Sequence, residues 1–462
     1  MRFHSSPIEE HVEVPIADEG LLDQHIARWS ERASRPFSHA GKSKGCYVVS
    51  VQRRGESDDR AARLDEIVGL IEAQGDAVVG QRIMRLAKAN PRTLISRGVA
   101  EALGARARAS GADLLVLDAR LSPSQTRNLE DAVGLPVCDR DAVILQVFEQ
   151  HAKTPRSRIQ VELAHLEYLR PRIRGIGLDM DQQAGGLMGS RGPGETASEL
   201  LARQLDGRLA RLRRALLRIK HSDRARRARR SRCARVVLVG YTNAGKTSLM
   251  NALTGAGLSA RSRPFETLDT TSRCLSRHGG DVLLSDTVGF IRRLPESLFA
   301  SFESTLAEVA EASLLVIVVD RSDPEFERHL RITEGVLGKL GAAEVRRLYV
   351  FTKEDLLPQR ASPEALSRHC DGHPFVSLST RDAAAVASLE RVLLREARSS
   401  KRVQEVFVPY ASTEIVAQIY AQCRVLELVA SERGTQFSIE GEAHVVAAIQ
   451  RRCRAASRRR HR

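Results

Sequence analysis

Aromatic residues are scarce, at 4% of 462 residues with a single tryptophan. Readers of single-stranded RNA stack successive bases on aromatic rings, so this composition argues against that mode and leaves any RNA contact mainly electrostatic. The seven cysteines (Cys46, Cys138, Cys233, Cys274, Cys370, Cys423 and Cys453) contain no C-x-x-C pair and no Cys/His cluster at zinc-ligand spacing. That pattern fits reduced thiols rather than a metal ribbon or a disulfide framework. Long apolar runs are missing too: the longest, Leu314 to Val319, is far too short to span a bilayer. The N-terminus, MRFHSSPIEEHVEV, has no basic-then-apolar signal pattern. A cytoplasmic location is expected, and no internal repeat is evident.

Positive charge is in excess, with a net charge of +15. It is concentrated in two segments: fourteen Lys/Arg against two acids between Arg203 and Arg235, and seven Arg without an acid between Arg451 and Arg462. Either segment can contact phosphates, and such binding would weaken steeply with salt. The remainder of the chain sums to a small negative charge.

The length implies roughly three domains of about 100 to 200 residues each. Residues 1–44 are polar and without a persistent period, and read as a poorly ordered leader. Residues 45–152 alternate strand-like runs (Cys46–Val51, Ala77–Val79, Asp113–Asp118) with helical stretches, the pattern of a small α/β domain on a parallel sheet. Ser122-Pro123 has the form of a helix start, with Ser as cap and Pro at the first helical position. Residues 153–232 read as a basic antiparallel helical hairpin. Its seams are Ile159, Leu163, Leu166 and Leu169 on one helix and Leu201, Leu205, Leu209, Leu212, Leu216 and Ile219 on the other. Between them Gln182 to Thr196 holds five glycines and a proline, which excludes continued helix or strand and suits a probing loop. A nucleotide domain follows over 233–398, then a small α+β appendage over 399–450 and a basic tail over 451–462.

Arg235 to Val239 reads as a buried strand. It runs directly into Gly240-Tyr241-Thr242-Asn243-Ala244-Gly245-Lys246-Thr247, and a helical stretch begins at Ser248. Strand, glycine-rich turn and helix start in that order form a phosphate-binding loop, whose N–H groups face phosphates. Lys246 is expected on the β- and γ-phosphates and the Thr247 hydroxyl on Mg²⁺. Downstream, a strand ends in Asp286-Thr287-Val288-Gly289. Asp286 can hold the ion through water, and the Gly289 N–H can sense a γ-phosphate. Another strand ends in Thr352-Lys353-Glu354-Asp355. The Asp355 carboxylate offers two acceptors to the paired N–H donors of guanine, a pair adenine lacks, so GTP and GDP are the expected nucleotides. Lys353 should lay its stem along the base, with Ser379 and Thr380 in the last base-contacting loop. Between the phosphate loop and Asp286 lies Phe265-Glu266-Thr267-Leu268-Asp269-Thr270-Thr271, where a switch hydroxyl should close over Mg²⁺; Thr267, Thr270 and Thr271 all qualify. Phe290 stands where many such proteins place a water-orienting glutamine, so slow unaided hydrolysis is expected, with a partner supplying the rest.

With these motifs, and with LSPSQTRNLE (Leu121 to Glu130), QVELAHLEYLRPR (Gln160 to Arg172) and SRGPGET (Ser190 to Thr196), the chain resembles the HflX family of GTPases over residues 46–398. The resemblance implies an N-terminal α/β domain plus hairpin, a GTPase domain, binding to the large ribosomal subunit and its rRNA, and splitting or rescue of stalled or idle ribosomes under stress; a monomer is expected. It further implies Thr247 and Thr267 as Mg²⁺ ligands, Phe265 to Asp269 bordering the nucleotide, and a loop around Gly185 to Gly194 entering the peptidyl-transferase region. The match is uneven. Thr352 replaces the usual Asn of Asn-Lys-x-Asp, Ser379-Thr380 replaces Ser-Ala, and Ile95-Ser-Arg-Gly98 departs from a glycine-lysine pattern, as in a diverged paralogue. Two other functions fit parts of the sequence: an RNA-remodelling NTPase, against which the lack of a second phosphate loop counts, and a nucleotide-gated scaffold with negligible catalysis.

Overall fold

The computed structural model describes residues 43–53, 60–173, 197–229, 233–257, 265, 271–275, 282–359, 362–398 and 401–458. The glycine-rich segment Gln182 to Thr196, the switch residues Glu266 to Thr270 and the terminal Arg459, Arg460 and Arg462 lie outside them.

The first sheet is four-stranded and parallel, in the order β2-β1-β3-β4: β1 (Gly45–Arg53), β2 (Ala77–Leu86), β3 (Leu114–Leu117) and β4 (Val137–Asp139). Parallel neighbours need crossovers, and α1 (Arg60–Ala73), α2 (Arg97–Ala109), α3 (Pro123–Val133) and α4 (Arg140–His151) lie between and after the strands. Successive side chains of β1 face opposite sides. Cys46 and Val48 join Ile67 and Leu70 of α1 and Val143 of α4; Tyr47 and Val49 join Leu103 of α2 and Leu129 of α3. Helix α3 starts as its sequence implies. The Ser122 hydroxyl accepts from the Gln125 N–H at 3.2 Å, while the Gln125 side chain accepts from the Ser122 N–H at 3.0 Å. Strand β2 runs well beyond Ala77–Val79. It is an edge strand with one exposed face, so Gln81 and Arg85 interrupt the apolar run without ending the strand.

Two long helices follow, α5 (Pro155–Ile173) and α6 (Ala197–Arg229). Leu163, Leu166 and Leu169 of α5 meet Leu205, Leu209 and Leu216 of α6. Flanking pairs Glu162–Arg208 (2.6 Å) and Glu167–Arg213 (2.8 Å) line that seam.

The second sheet has the order β10-β9-β8-β5-β7-β6: β5 (Ala234–Gly240), β6 (Thr271–Cys274), β7 (Val282–Asp286), β8 (Leu314–Asp320), β9 (Arg347–Thr352) and β10 (Phe375–Ser377). All neighbours are parallel except β6, which pairs antiparallel with β7 at the edge. Its helices are α7 (Lys246–Thr254), α8 (Glu296–Ala310), α9 (Phe326–Lys339), α10 (Pro363–Ser367) and α11 (Ala383–Arg398). Strand β5 lies between β7 and β8, and strand order reverses there, which opens a crevice at its carboxyl end.

The two sheets are not joined by a loose linker. One apolar cluster runs from Ile67 and Phe148 through Val161 and Ala164 of α5 to Tyr241, Phe290, Leu298 and Phe302. The buried Gln160 side chain donates to the Ser301 carbonyl at 2.7 Å, fastening α5 to α8.

The C-terminal unit is an antiparallel sheet, order β11-β13-β12: β11 (Lys401–Pro409), β12 (Arg424–Ser431) and β13 (Gly434–Glu442). Helices α12 (Thr413–Gln422) and α13 (Ala443–Arg458) cover one face, with Val406, Ile419, Phe437 and Ile449 between. Helix α13 carries the start of the basic 451–462 stretch. All seven cysteines are free, and among the described residues no helix is long and apolar enough to cross a membrane.

Candidate nucleotide site

The buried run of β5 stops at Gly240, where a Cβ would lie 2.3 Å from the Val318 carbonyl oxygen of the neighbouring strand; only glycine fits. Asn243 (φ 60°) and Gly245 (φ 91°) then take left-handed conformations and curl the loop onto the N-terminus of α7, and a helix N-terminus is suited to an anion. The Lys246 ammonium donates to the Gly240 and Tyr241 carbonyls at 3.2 and 2.7 Å. Burial pushes its pKa down to about 8, against the pull of Asp286.

Parallel pairing sets Leu238 opposite Asp286, which brings the carboxylate under the loop. The Thr247 hydroxyl donates to Asp286 Oδ2 at 2.8 Å. Two hard oxygens side by side at the end of an anion-binding loop suit Mg²⁺, which favours oxygen ligands and keeps part of its water shell. Thr287 serves the fold as well: its hydroxyl donates to the Leu238 carbonyl at 2.7 Å, and Val288 is buried, so only their backbones can face a ligand.

Gly289 lies against the phosphate loop. A Cβ built there would stand 2.9 Å from Thr242 Cα and 3.1 Å from Lys246 Nζ. Lys246 can swing away, but the Thr242 backbone cannot. Gly289→Ala is therefore expected to displace the segment and lower affinity for a non-hydrolysable GTP analogue by about tenfold or more, roughly 1.4 kcal/mol. Equilibrium titration reads it, and an unchanged affinity would separate Gly289 from the γ-phosphate. Phe290 is buried in the apolar cluster. Its N–H donates to the Gly240 carbonyl at 3.0 Å, and its carbonyl accepts from the Thr242 N–H at 2.8 Å.

At the other end of the crevice, Thr352 is 1% exposed and its hydroxyl bonds the Ala244 and Val319 carbonyls at 2.8 and 3.1 Å. The motif's threonine thus fastens the base-side loop to the phosphate loop. Lys353, in a left-handed conformation (φ 60°), reaches Asp320 Oδ2 at 2.6 Å. Glu354 and Asp355 form a single 3₁₀ turn with Leu356. A hydrogen bond from Ser379, with lesser help from Arg381 at 3.5 Å, holds the Asp355 carboxyl below its ordinary pKa. Ser379 and Thr380 reach this turn because β10 pairs with β9.

Of the switch segment only Phe265 and Thr271 are described. Phe265 (φ 59°) is buried with its ring 4.6 Å from that of Phe148 on α4, and Thr271 opens β6; Glu266, Thr267, Leu268, Asp269 and Thr270 lie outside. Asp320, which holds Lys353, gave no signal in the sequence because it merely ends an unbroken apolar run.

Family models match three consecutive stretches: the N-terminal region of GTP-binding GTPases over 61–149, their middle region over 151–230, and 50S ribosome-binding GTPase over 235–353. A mostly parallel sheet that gathers a phosphate loop, DxxG and TKxD at the carboxyl ends of its strands defines a P-loop GTPase. GTPase HflX of Spirochaeta thermophila is 40% identical over 370 residues, 79% of this chain and 88% of that protein; GTPase HflX of Magnetococcus marinus is 34% identical over 416 residues, 89% and 96%. The chain belongs to the HflX family and is a GTP-hydrolysing enzyme. A solved GTP-binding protein of Sulfolobus solfataricus in complex with GDP is similar at a TM-score of 0.41 and 20% identity, covering 77% of this chain and 99% of that one.

Proposed function

We propose that this GTPase acts in the cytoplasm as a monomer on the large ribosomal subunit, separating or rescuing stalled or idle ribosomes under stress. The observation that carries the reading is the exposed face of α6, where Arg203, Arg211, Arg214 and Arg218 stand on a helix whose partner α5 is fastened to the GTPase domain. Such a row offers several contacts to rRNA phosphates. The family description "50S ribosome-binding GTPase" for residues 235–353 points the same way.

In this reading Gly240 to Thr247 cradle the phosphates of GTP or GDP, Lys246 neutralises charge developing on the transferred group, and the Gly289 N–H meets the γ-phosphate. Asp355 accepts from guanine, with Lys353 along the base and Thr352, Glu354, Ser379 and Thr380 shaping the loop. Thr247 and Asp286, joined by Thr267, would hold Mg²⁺, which would supply positive charge beside the phosphates. Phe265 to Asp269 border the nucleotide, and the Gly185 to Gly194 loop enters the peptidyl-transferase region.

Sedimentation tests the partner. With a non-hydrolysable GTP analogue the protein should pellet with purified large subunits at low salt, and the bound fraction should fall steeply as salt rises. Failure to pellet at low salt would remove the ribosome from the account.

A further inference from the structure

Where the N-terminal domain meets the GTPase domain, a set of charged side chains is buried. Glu66 of α1 accepts a hydrogen bond from the Tyr241 hydroxyl of the phosphate loop, and its other oxygen pairs with Arg140 of α4 at 3.0 Å. Arg140 also pairs with Asp118 at 2.6 Å and donates to the Arg292 carbonyl at 3.0 Å. The Arg292 N–H donates to the Tyr241 hydroxyl at 3.1 Å, and Arg292 Nε stands 3.9 Å from Glu66. The side chains of Glu66, Arg140 and Arg292 are 12%, 4% and 9% exposed. Burial, then the Glu66 carboxylate, raises the Tyr241 pKa. Burial opposes the Arg140 charge, yet Glu66 and Asp118 keep it raised.

Both backbone polar groups of Arg292 are therefore held, one by the phosphate loop and one by the N-terminal domain. Arg292 lies three residues after Gly289, and the intervening Phe290 is itself bonded to Gly240 and Thr242. In this arrangement Gly289 is packed on Thr242 and close to the Lys246 ammonium. A third phosphate beside Gly289 has to draw the Lys246 ammonium off the Gly240 and Tyr241 carbonyls and shift Gly289 against Thr242, and Arg292 lies on the same short segment.

We propose that Glu66 is a positioning residue of the nucleotide site: from the N-terminal domain it holds Tyr241, and through Arg140 holds Arg292, in the arrangement that favours GDP over GTP. It touches no phosphate. Its effect is a coupling free energy, so GTP must in return loosen Arg292. The proposal rests on Gly289 meeting the γ-phosphate. Gly289→Ala tests that premise separately, since it removes affinity for the GTP analogue whether or not Glu66 takes part.

The experiment uses the full chain. GDP and a non-hydrolysable GTP analogue are titrated into wild type, Glu66→Ala and Glu66→Gln, with thermal unfolding to verify folding. Glu66→Ala should raise the analogue-to-GDP affinity ratio about fivefold or more. Glu66→Gln, which keeps an acceptor for Tyr241 but no charge for Arg140, should fall between. A ratio within about twofold of wild type in a folded variant overturns the proposal. Should Glu66→Ala not fold, Glu66→Gln decides by the same criterion. Hydrogen exchange in wild type gives an arm that needs no variant. The Arg292 amide should exchange faster with the GTP analogue bound than with GDP, and equal rates overturn the proposal.

Discussion

Asp355→Asn is expected to lower GTP affinity by about 10² to 10³ and to admit xanthosine triphosphate instead. The carboxylate presents two acceptors, and Ser379 and Arg381 hold it ionised. Guanine answers with its ring N–H and exocyclic amine, two bonds to a charged group worth about 1.5 to 3 kcal/mol each. Asparagine keeps one acceptor and turns the other into a donor, so one guanine N–H then faces an N–H. Xanthine carries a carbonyl where guanine has its amine, which restores the match. Titration with both nucleotides measures the exchange. Loss of GTP without any gain for the xanthine nucleotide would show that Asp355 acts on the fold of its loop rather than on the base.

The second large effect concerns rate. Phe290 follows Gly289, where a glutamine would orient the attacking water; phenylalanine neither donates nor accepts. It is buried, and its backbone is bonded to Gly240 and Thr242 at both polar groups, so it cannot turn toward a γ-phosphate without opening the loop. Catalytic elements supplied by a partner are worth roughly 10³ to 10⁵ in such enzymes. Turnover should accordingly be far below 1 s⁻¹ for the isolated protein and rise by about that factor on the large ribosomal subunit, the partner proposed above.

The nucleotide site was legible because its chemistry is local. A glycine-rich loop between strand and helix needs only eight consecutive residues, and DTVG and TKED each end a strand whose apolar run announces it. The seam of α5 and α6 was legible for the same reason: its leucines recur at helical spacing. Thr352 was visible as a departure from asparagine, but its bond to Ala244 crosses 108 positions, which no spacing reveals. Glu66 and Tyr241 are 175 positions apart and meet only because α1 and the phosphate loop share one apolar cluster. The extent of β2 was hidden by edge exposure, and the sequence set the basic 451–462 stretch apart from the α+β unit although α13 runs into it.

In the function proposed above, hydrolysis waits for the large subunit. The most direct test is the single-turnover GTPase rate of the full chain, alone and with saturating purified large ribosomal subunits, alongside a variant lacking Gly185 to Gly194. Stimulation should reach about 10³-fold or more for the wild type and be much smaller for the deletion. A rate near 1 s⁻¹ without subunits, or no change when they are added, would contradict the proposed function.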